Sequence, residues 1–247
     1  MPHPFLTARW ESLLLLNYLC PPALLEPHVP RGTVLDAWQG RTYVSLVAFL
    51  FRGLRVRGIP LPFHQEFEEV NLRFYVRRPA GREPAPRGVV FIRELVPRRA
   101  IAAAARLTYN EPYAVVPMSH RVALSASAGG SLEYSWRHGG DAFRMAAEVG
   151  GAARPMTAGS EAEFTAEHHW GYTRQRDGVT LQYRVEHPPW QVWEAPGATL
   201  SGPAGRLYGE AFGPILAGSP ASAHVALGSE VAVYRGQRLP SASQESA

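Results

Sequence analysis

The chain contains no lysine: all 25 of its basic residues are arginine. Arginine stays protonated in proteins and cannot attack a carbonyl as an amine, so a Schiff base from a side chain is excluded and only the amine of Met1 remains. A single cysteine, Cys20, rules out an internal disulfide and cannot build a thiolate metal site alone. The longest apolar run near the N-terminus, Leu13–Leu16, is too short for a signal-peptide core or a membrane span. A soluble, cytoplasmic protein without a membrane partner is expected. There is no Gly-x-Ser-x-Gly elbow, no P-loop, and no Gly-x-Gly-x-x-Gly after a strand. No motif calls for a cofactor.

What is present is ordinary for a folded domain, with 46% apolar and 19% charged residues. The 23 glycines and 22 prolines imply many turns and short elements, which lean towards β structure. One domain is expected over residues 1–239, with 240–247 as a disordered tail. The net charge of +4 is unevenly spread, with twelve Arg against five Glu between Arg52 and Arg106. Without a basic helix or a binding motif this does not read as a nucleic-acid surface. A small anion, held by bidentate contacts, suits a local arginine excess better. The plainer reading is that Arg77, Arg78, Arg82 and Arg87 keep a hairpin soluble.

The stretch Phe67–Tyr75, FEEVNLRFY, organises the rest. As a strand it sends Phe67, Glu69, Asn71, Arg73 and Tyr75 to one side and Glu68, Val70, Leu72 and Phe74 to the other. A carboxylate, an amide, a guanidinium and a phenol in a row, bracketed by aromatics, are either an ion-pair ladder or the wall of a pocket. Further strands are expected at Trp10–Tyr18, Thr42–Phe51, Val89–Leu95, Leu181–Glu186 and Val225–Arg235. In Val89–Leu95 the alternation places Glu94 with Val90 and Ile92, opposite Phe91. Pro97 followed by Arg98-Arg99 and an alanine run predicts a helix that Asn110-Glu-Pro-Tyr ends. Both arginines would then stand in its first turn, where the dipole repels them unless an acid or a bound anion joins them. A second polar-aromatic stretch, Phe164–Thr173, reads as a strand with Glu167, His169 and Gly171 on one face and His168, Trp170 and Tyr172 on the other. A metal site built from His64, Glu66, His168 and His169 lacks a characteristic ligand spacing.

Four segments together, Phe-x-Glu-x-Asn-x-Arg-x-Tyr at Phe67–Tyr75, Gly88–Phe91, Glu167–Tyr172 and His187-x-x-Trp190, resemble the YqjF-like uncharacterised proteins of the acetoacetate decarboxylase-like superfamily. The resemblance covers most of residues 5–239. It implies an α+β fold, mostly antiparallel β: an acetoacetate decarboxylase-like cone-shaped barrel with a few short helices and a small polar cavity. The decarboxylases carry Arg-Glu-Leu shortly before Pro-Lys-Lys, whose first lysine forms the Schiff base. The corresponding words here are Arg93-Glu94-Leu95 and Pro97-Arg98-Arg99, so the nucleophile is missing and the reaction does not transfer with the fold.

Two functional classes stay open. The first is a lyase-, hydratase- or isomerase-type enzyme on a small oxo or carboxylic acid, with Glu69 or Glu94 as acid or base and Arg73 or Arg98 holding the carboxylate. Asn71, Tyr75, Arg99, Glu167, His168 and Tyr172 complete the candidate contacts. The second is a non-catalytic protein that binds a small anionic or carbonyl-containing molecule. Oligomeric state is open, a homo-oligomer included. A strongly shifted Glu69 would favour the enzyme, and Glu69 locked to Arg73 in a narrow apolar cavity the binder.

Overall fold

A computed structural model describes residues 3–79 and 85–239. The expected tail at 240–247 and the tip of the Pro79–Gly88 loop lie outside the described residues. In chain order the principal elements are β1 (Leu6–Leu19), α1 (Pro22–Leu25), β2 (Tyr43–Val56), β3 (Glu66–Arg77), β4 (Arg87–Val96), α2 (Arg99–Tyr109) and β5 (Tyr113–Val115). There follow β6 (Met118–Ser125), β7 (Gly129–His138), β8 (Asp141–Gly150), α3 (Glu161–Ala166), β9 (Trp170–Arg174), β10 (Thr180–Glu186), β11 (Gln191–Glu194), β12 (Thr199–Ser201) and β13 (Ser222–Val233).

Strands β1, β2, β3, β4, β9, β10 and β13 pair in that order, and β13 pairs again with β1, which closes a ring. Every junction is antiparallel except β4–β9, which is parallel. At that parallel junction Gly88 faces Trp170, and a Cβ on Gly88 would lie 2.4 Å from the Trp170 carbonyl oxygen. Only glycine lets the two backbones approach so closely.

The ring is apolar on both faces, as the unbroken run of β2 requires. Outward-facing Leu14, Leu16, Leu46, Leu50, Val70, Leu72 and Phe74 pack with Tyr134, Trp136, Phe143 and Met145 from a second sheet of order β12-β8-β7-β6. Inward-facing Leu13, Leu15, Val47, Phe49 and Phe67 form another cluster with Val96, Ala102 and Trp190. Each large apolar side chain so buried contributes about 2 kcal/mol.

One part of the interior is polar and satisfied. Ser45 Oγ donates to Asn17 Oδ1 (2.6 Å), Asn17 Nδ2 donates to Ser222 Oγ (3.0 Å), and the Tyr75 hydroxyl donates to the Thr165 carbonyl (3.0 Å). Thr165 belongs to α3, so that short helix closes this polar region of the ring. Among the described residues no helix is long and apolar enough to cross a membrane.

Three local expectations need correction. Phe164–Thr173 is not one strand. Ser160 caps α3 by accepting from the Glu163 amide at 3.2 Å, so Phe164–Ala166 are helical, and β9 begins only at Trp170. Pro97 is not the first helical residue, because Arg98 keeps an extended backbone (φ −111°, ψ 107°) and α2 starts at Arg99. In β4, Leu72 pairs with Arg93 but Arg73 with Phe91, leaving Ile92 as a bulge. That extra residue switches the alternation, so Glu94 shares the inward face with Val89 and Phe91.

Candidate functional site

Above the polar region the ring holds a cavity of about 420 Å³, lined by inward residues of its strands and by Ile101, Ala104, Ala105, Thr108 and Tyr109 of α2. Most of the wall is apolar, including Trp10, Phe51, Phe67, Phe91 and Trp190. Into it project three carboxyls, Glu69, Glu94 and Glu111, and one guanidinium, Arg73. All four side chains are buried, none more than 8% exposed.

Glu69 stands on β3 and does not pair with Arg73. Its carboxylate accepts from Asn71 Nδ2 (3.2 Å) and from the Tyr113 hydroxyl (3.0 Å). Arg73 donates through its Nη2 to the Thr165 carbonyl at 2.9 Å, and its Nε has no acceptor among the described residues. Glu94 lies between Asn71 on β3 and Tyr113 on β5 in the sheet register, and its Oε2 has no hydrogen-bond partner among the described residues. Glu111 is brought in by the end of α2, where Asn110 adopts the left-handed conformation (φ 56°) and reverses the chain. It accepts from the Tyr183 hydroxyl at 3.0 Å.

Three acids with one cation in an apolar chamber cannot all ionise cheaply. Burial pushes Glu69 up to about 7, against the pull of Asn71, Tyr113 and Arg73. Burial, partly opposed by Tyr183, pushes Glu111 up to about 8. Glu94 is raised well above the ordinary carboxylate range by burial and then by the charges of Glu111 and Glu69. Burial, and next the charge of Arg73, holds His168 well below the usual histidine range. His168 lines the cavity stacked on Tyr75 at 4.7 Å, with neither ring nitrogen bonded within the protein. Among the described residues no group of three or more His, Cys, Asp and Glu side chains is placed to hold a metal ion.

The structure therefore gathers Glu69, Arg73, Glu94 and His168 in one chamber, with Asn71 and Tyr75 buried beside them. It does not bring the others there. Arg98 and Arg99 are exposed, and Arg98 turns outward to donate to the Glu66 carbonyl at 3.2 Å. Glu167, the cap of α3, accepts from the Trp190 amide at 3.4 Å, and Tyr172 faces the outer core. Sequence reasoning missed Glu111, Tyr113, Tyr183 and His187. The Asn-Glu-Pro-Tyr words carried two of them, but they were read only as a helix stop.

The DUF2071 family, described as "Uncharacterized conserved protein", matches residues 7–230. Uncharacterized protein YqjF of Bacillus subtilis (strain 168) is 26% identical over 192 residues, covering 75% of this chain and 74% of the relative. Among solved structures, acetoacetate decarboxylase from Legionella pneumophila superposes with a TM-score of 0.65 at 15% identity, over 97% of this chain and 88% of that one. An acetoacetate decarboxylase-like enzyme from Sphingomonas wittichii RW1 gives 0.64 at 15% identity, over 96% and 93%. The enduracididine biosynthesis enzyme MppR, complexed with pyruvate, gives 0.67 at 12% identity, over 97% and 91%. At these identities the structural likeness establishes the fold alone. The chain belongs to the DUF2071 family of uncharacterized conserved proteins, on an acetoacetate decarboxylase-like fold.

Proposed function

We propose that the protein is an acid–base enzyme of the lyase, hydratase or isomerase type, acting on a small oxo or carboxylic acid without an imine. The observation that carries this reading is that Glu69 and Arg73 line one cavity without pairing. Glu69, held near neutrality by burial and met only by neutral donors, suits proton abstraction at pH 7. Arg73, with its Nε unpartnered, suits a substrate carboxylate. The enolate oxygen that develops from the substrate carbonyl would be met by the Tyr113 hydroxyl, which is free to turn from Glu69 once that carboxylate has taken the proton. The pyruvate bound to MppR shows that a related fold accommodates a short oxo acid.

Calorimetry with short oxo acids is expected to show binding to the native chain. Arg73→Met should weaken it by about 1.5 to 3 kcal/mol, the worth of a buried charge-assisted bond. Arg98→Ala and Arg99→Ala should leave it unchanged. In D2O, exchange of the proton beside the carbonyl, followed by NMR, should be at least about a hundredfold slower in Glu69→Gln. Binding without any exchange would leave the non-catalytic binder as the correct reading. Borohydride added with the oxo acid should not change the protein's mass, apart from slow labelling at Met1. A stoichiometric adduct elsewhere would overturn the non-imine chemistry.

A further inference from the structure

The acids outnumber the cations in this chamber, and they are sorted along it. His168 stacks on Tyr75, two residues beyond Arg73 on β3, whereas Glu94 lies across from Asn71, on the Glu69 side of Arg73, and is paired with the Tyr113 that serves Glu69. Glu69 and Arg73 are separated by about 13 Å of strand between their Cα atoms. One end of the cavity thus offers the free Arg73 Nε and the two unbonded nitrogens of His168. The other offers the unpartnered Glu94 Oε2 and the remaining acceptor positions of Glu111. A metal ion does not answer this, because the carboxyls are not placed to share one. An organic cation carrying several N–H donors spans more widely separated acceptors.

We infer that the substrate is two-ended: a carboxylate bound at Arg73 and His168, and at the far end of a short chain an ammonium or guanidinium group received by Glu111 and Glu94. This deepens the acid–base reading above and rests on it. Charge balance follows directly. When the cation enters, Glu111 gives its proton to solvent and pairs as a carboxylate, while Glu69 remains beside the carbonyl end.

The test is isothermal titration of the full chain at pH 7.5 in two buffers of different ionisation enthalpy. The probes are the ω-amino acids from 3-aminopropanoate to 6-aminohexanoate and 4-guanidinobutanoate, with pentanoate and butylamine for comparison. At least one zwitterion should bind at least about tenfold more tightly than pentanoate and butylamine. It should also release about one proton more per ligand than pentanoate does. Glu111→Gln, which can keep its contact with Tyr183, should reduce the advantage over pentanoate to less than about twofold. Circular dichroism checks that this variant is folded. Pentanoate or butylamine binding as tightly as every zwitterion would overturn the inference, as would an advantage that survives Glu111→Gln. If short oxo acids bind through Arg73 and the ammonium adds nothing, the acid–base reading stands and this one fails. If no carboxylate binds, both fail.

Discussion

Stability should fall by about 3 kcal/mol between pH 6.5 and 8.5, the direction opposite to that of carboxylates in salt bridges. The ordinary value of 4.5 describes the three glutamates once unfolded, whereas in the folded chain Glu69 stands at about 7, Glu111 at about 8 and Glu94 well above its ordinary range. The folded form therefore binds more protons across this interval. What the protonated acids contribute is complete below 4.5 and is lost as pH rises through the folded values. The buried histidines act the other way. His168 lies well below its ordinary 6.5 and His187 at about 4, so unfolding takes up protons as pH falls through 6.5, and acid destabilises downward from about one unit above that value. Towards pH 8.5 the glutamates act without that opposition. Urea denaturation at pH 6.5, 7.5 and 8.5 measures the slope, which Glu94→Gln and Glu111→Gln should each flatten. A native profile that is level or rising over this range would mean that the cavity acids are ionised, and the site chemistry argued from their protons would fall with it.

Gly171→Ala should lower stability by about 3 kcal/mol, or roughly 10 °C in Tm for a chain of this size. A Cβ on Gly171 would stand 2.1 Å from Cζ of Tyr183 and 2.5 Å from its hydroxyl oxygen. The tyrosine cannot yield without cost, because its ring packs on Tyr109 at 5.0 Å and its hydroxyl serves Glu111. Turning it aside leaves a buried acid without its donor and displaces one wall of the cavity. Gly150→Ala is the control: nothing lies within 4 Å of a Cβ there, and the change should stay within about 0.5 kcal/mol. Equal melting temperatures for the two variants would show that Tyr183 is not held in place.

The inward face of β3 was legible because a period of two is local: Phe67 to Tyr75 alternate without a bulge. The fold was legible through motifs spread along the chain. Glu94 stands out in the sequence, but on the wrong face, since a single bulged residue at Ile92 reverses parity and alternation alone cannot announce it. Glu167 and Tyr172 were misplaced because ten residues were read at strand period when the first of them belong to a helix capped by Ser160. The Ser160-x-x-Glu163 spacing is the signal that would have shown this. Arg98 and Arg99 are candidates because they stand where the resemblance puts the lysine pair, yet the extended backbone at Arg98 directs that side chain to the surface. Glu111 stayed hidden because its role depends on the chain reversal at Asn110, a tertiary consequence of one left-handed residue.

The ring is not equally strong around its circumference. Among the described residues the β9–β10 hairpin is joined to β4 only at Trp170–Gly88 and Gly171–Val89, whereas β1, β2 and β3 pair along most of their lengths. On its other side β10 is held by β13, at Val185–Val233 and Glu186–Ala232, and by the chain beyond it, where the Tyr234 amide donates to the Arg184 carbonyl and Gln237–Arg238 pair with Gln182 and Leu181. One short seam thus borders a panel that carries Gly171, Tyr183 and Val185, all part of the cavity wall. Such a panel can detach on one side while the rest of the sheet stays hydrogen-bonded, because local opening requires breaking only the pairs along one seam. Amide hydrogens along the β4 seam would then exchange with solvent on a faster clock than those of β1–β3, and the chamber would have a door whose stiffness is set by two pairs of residues.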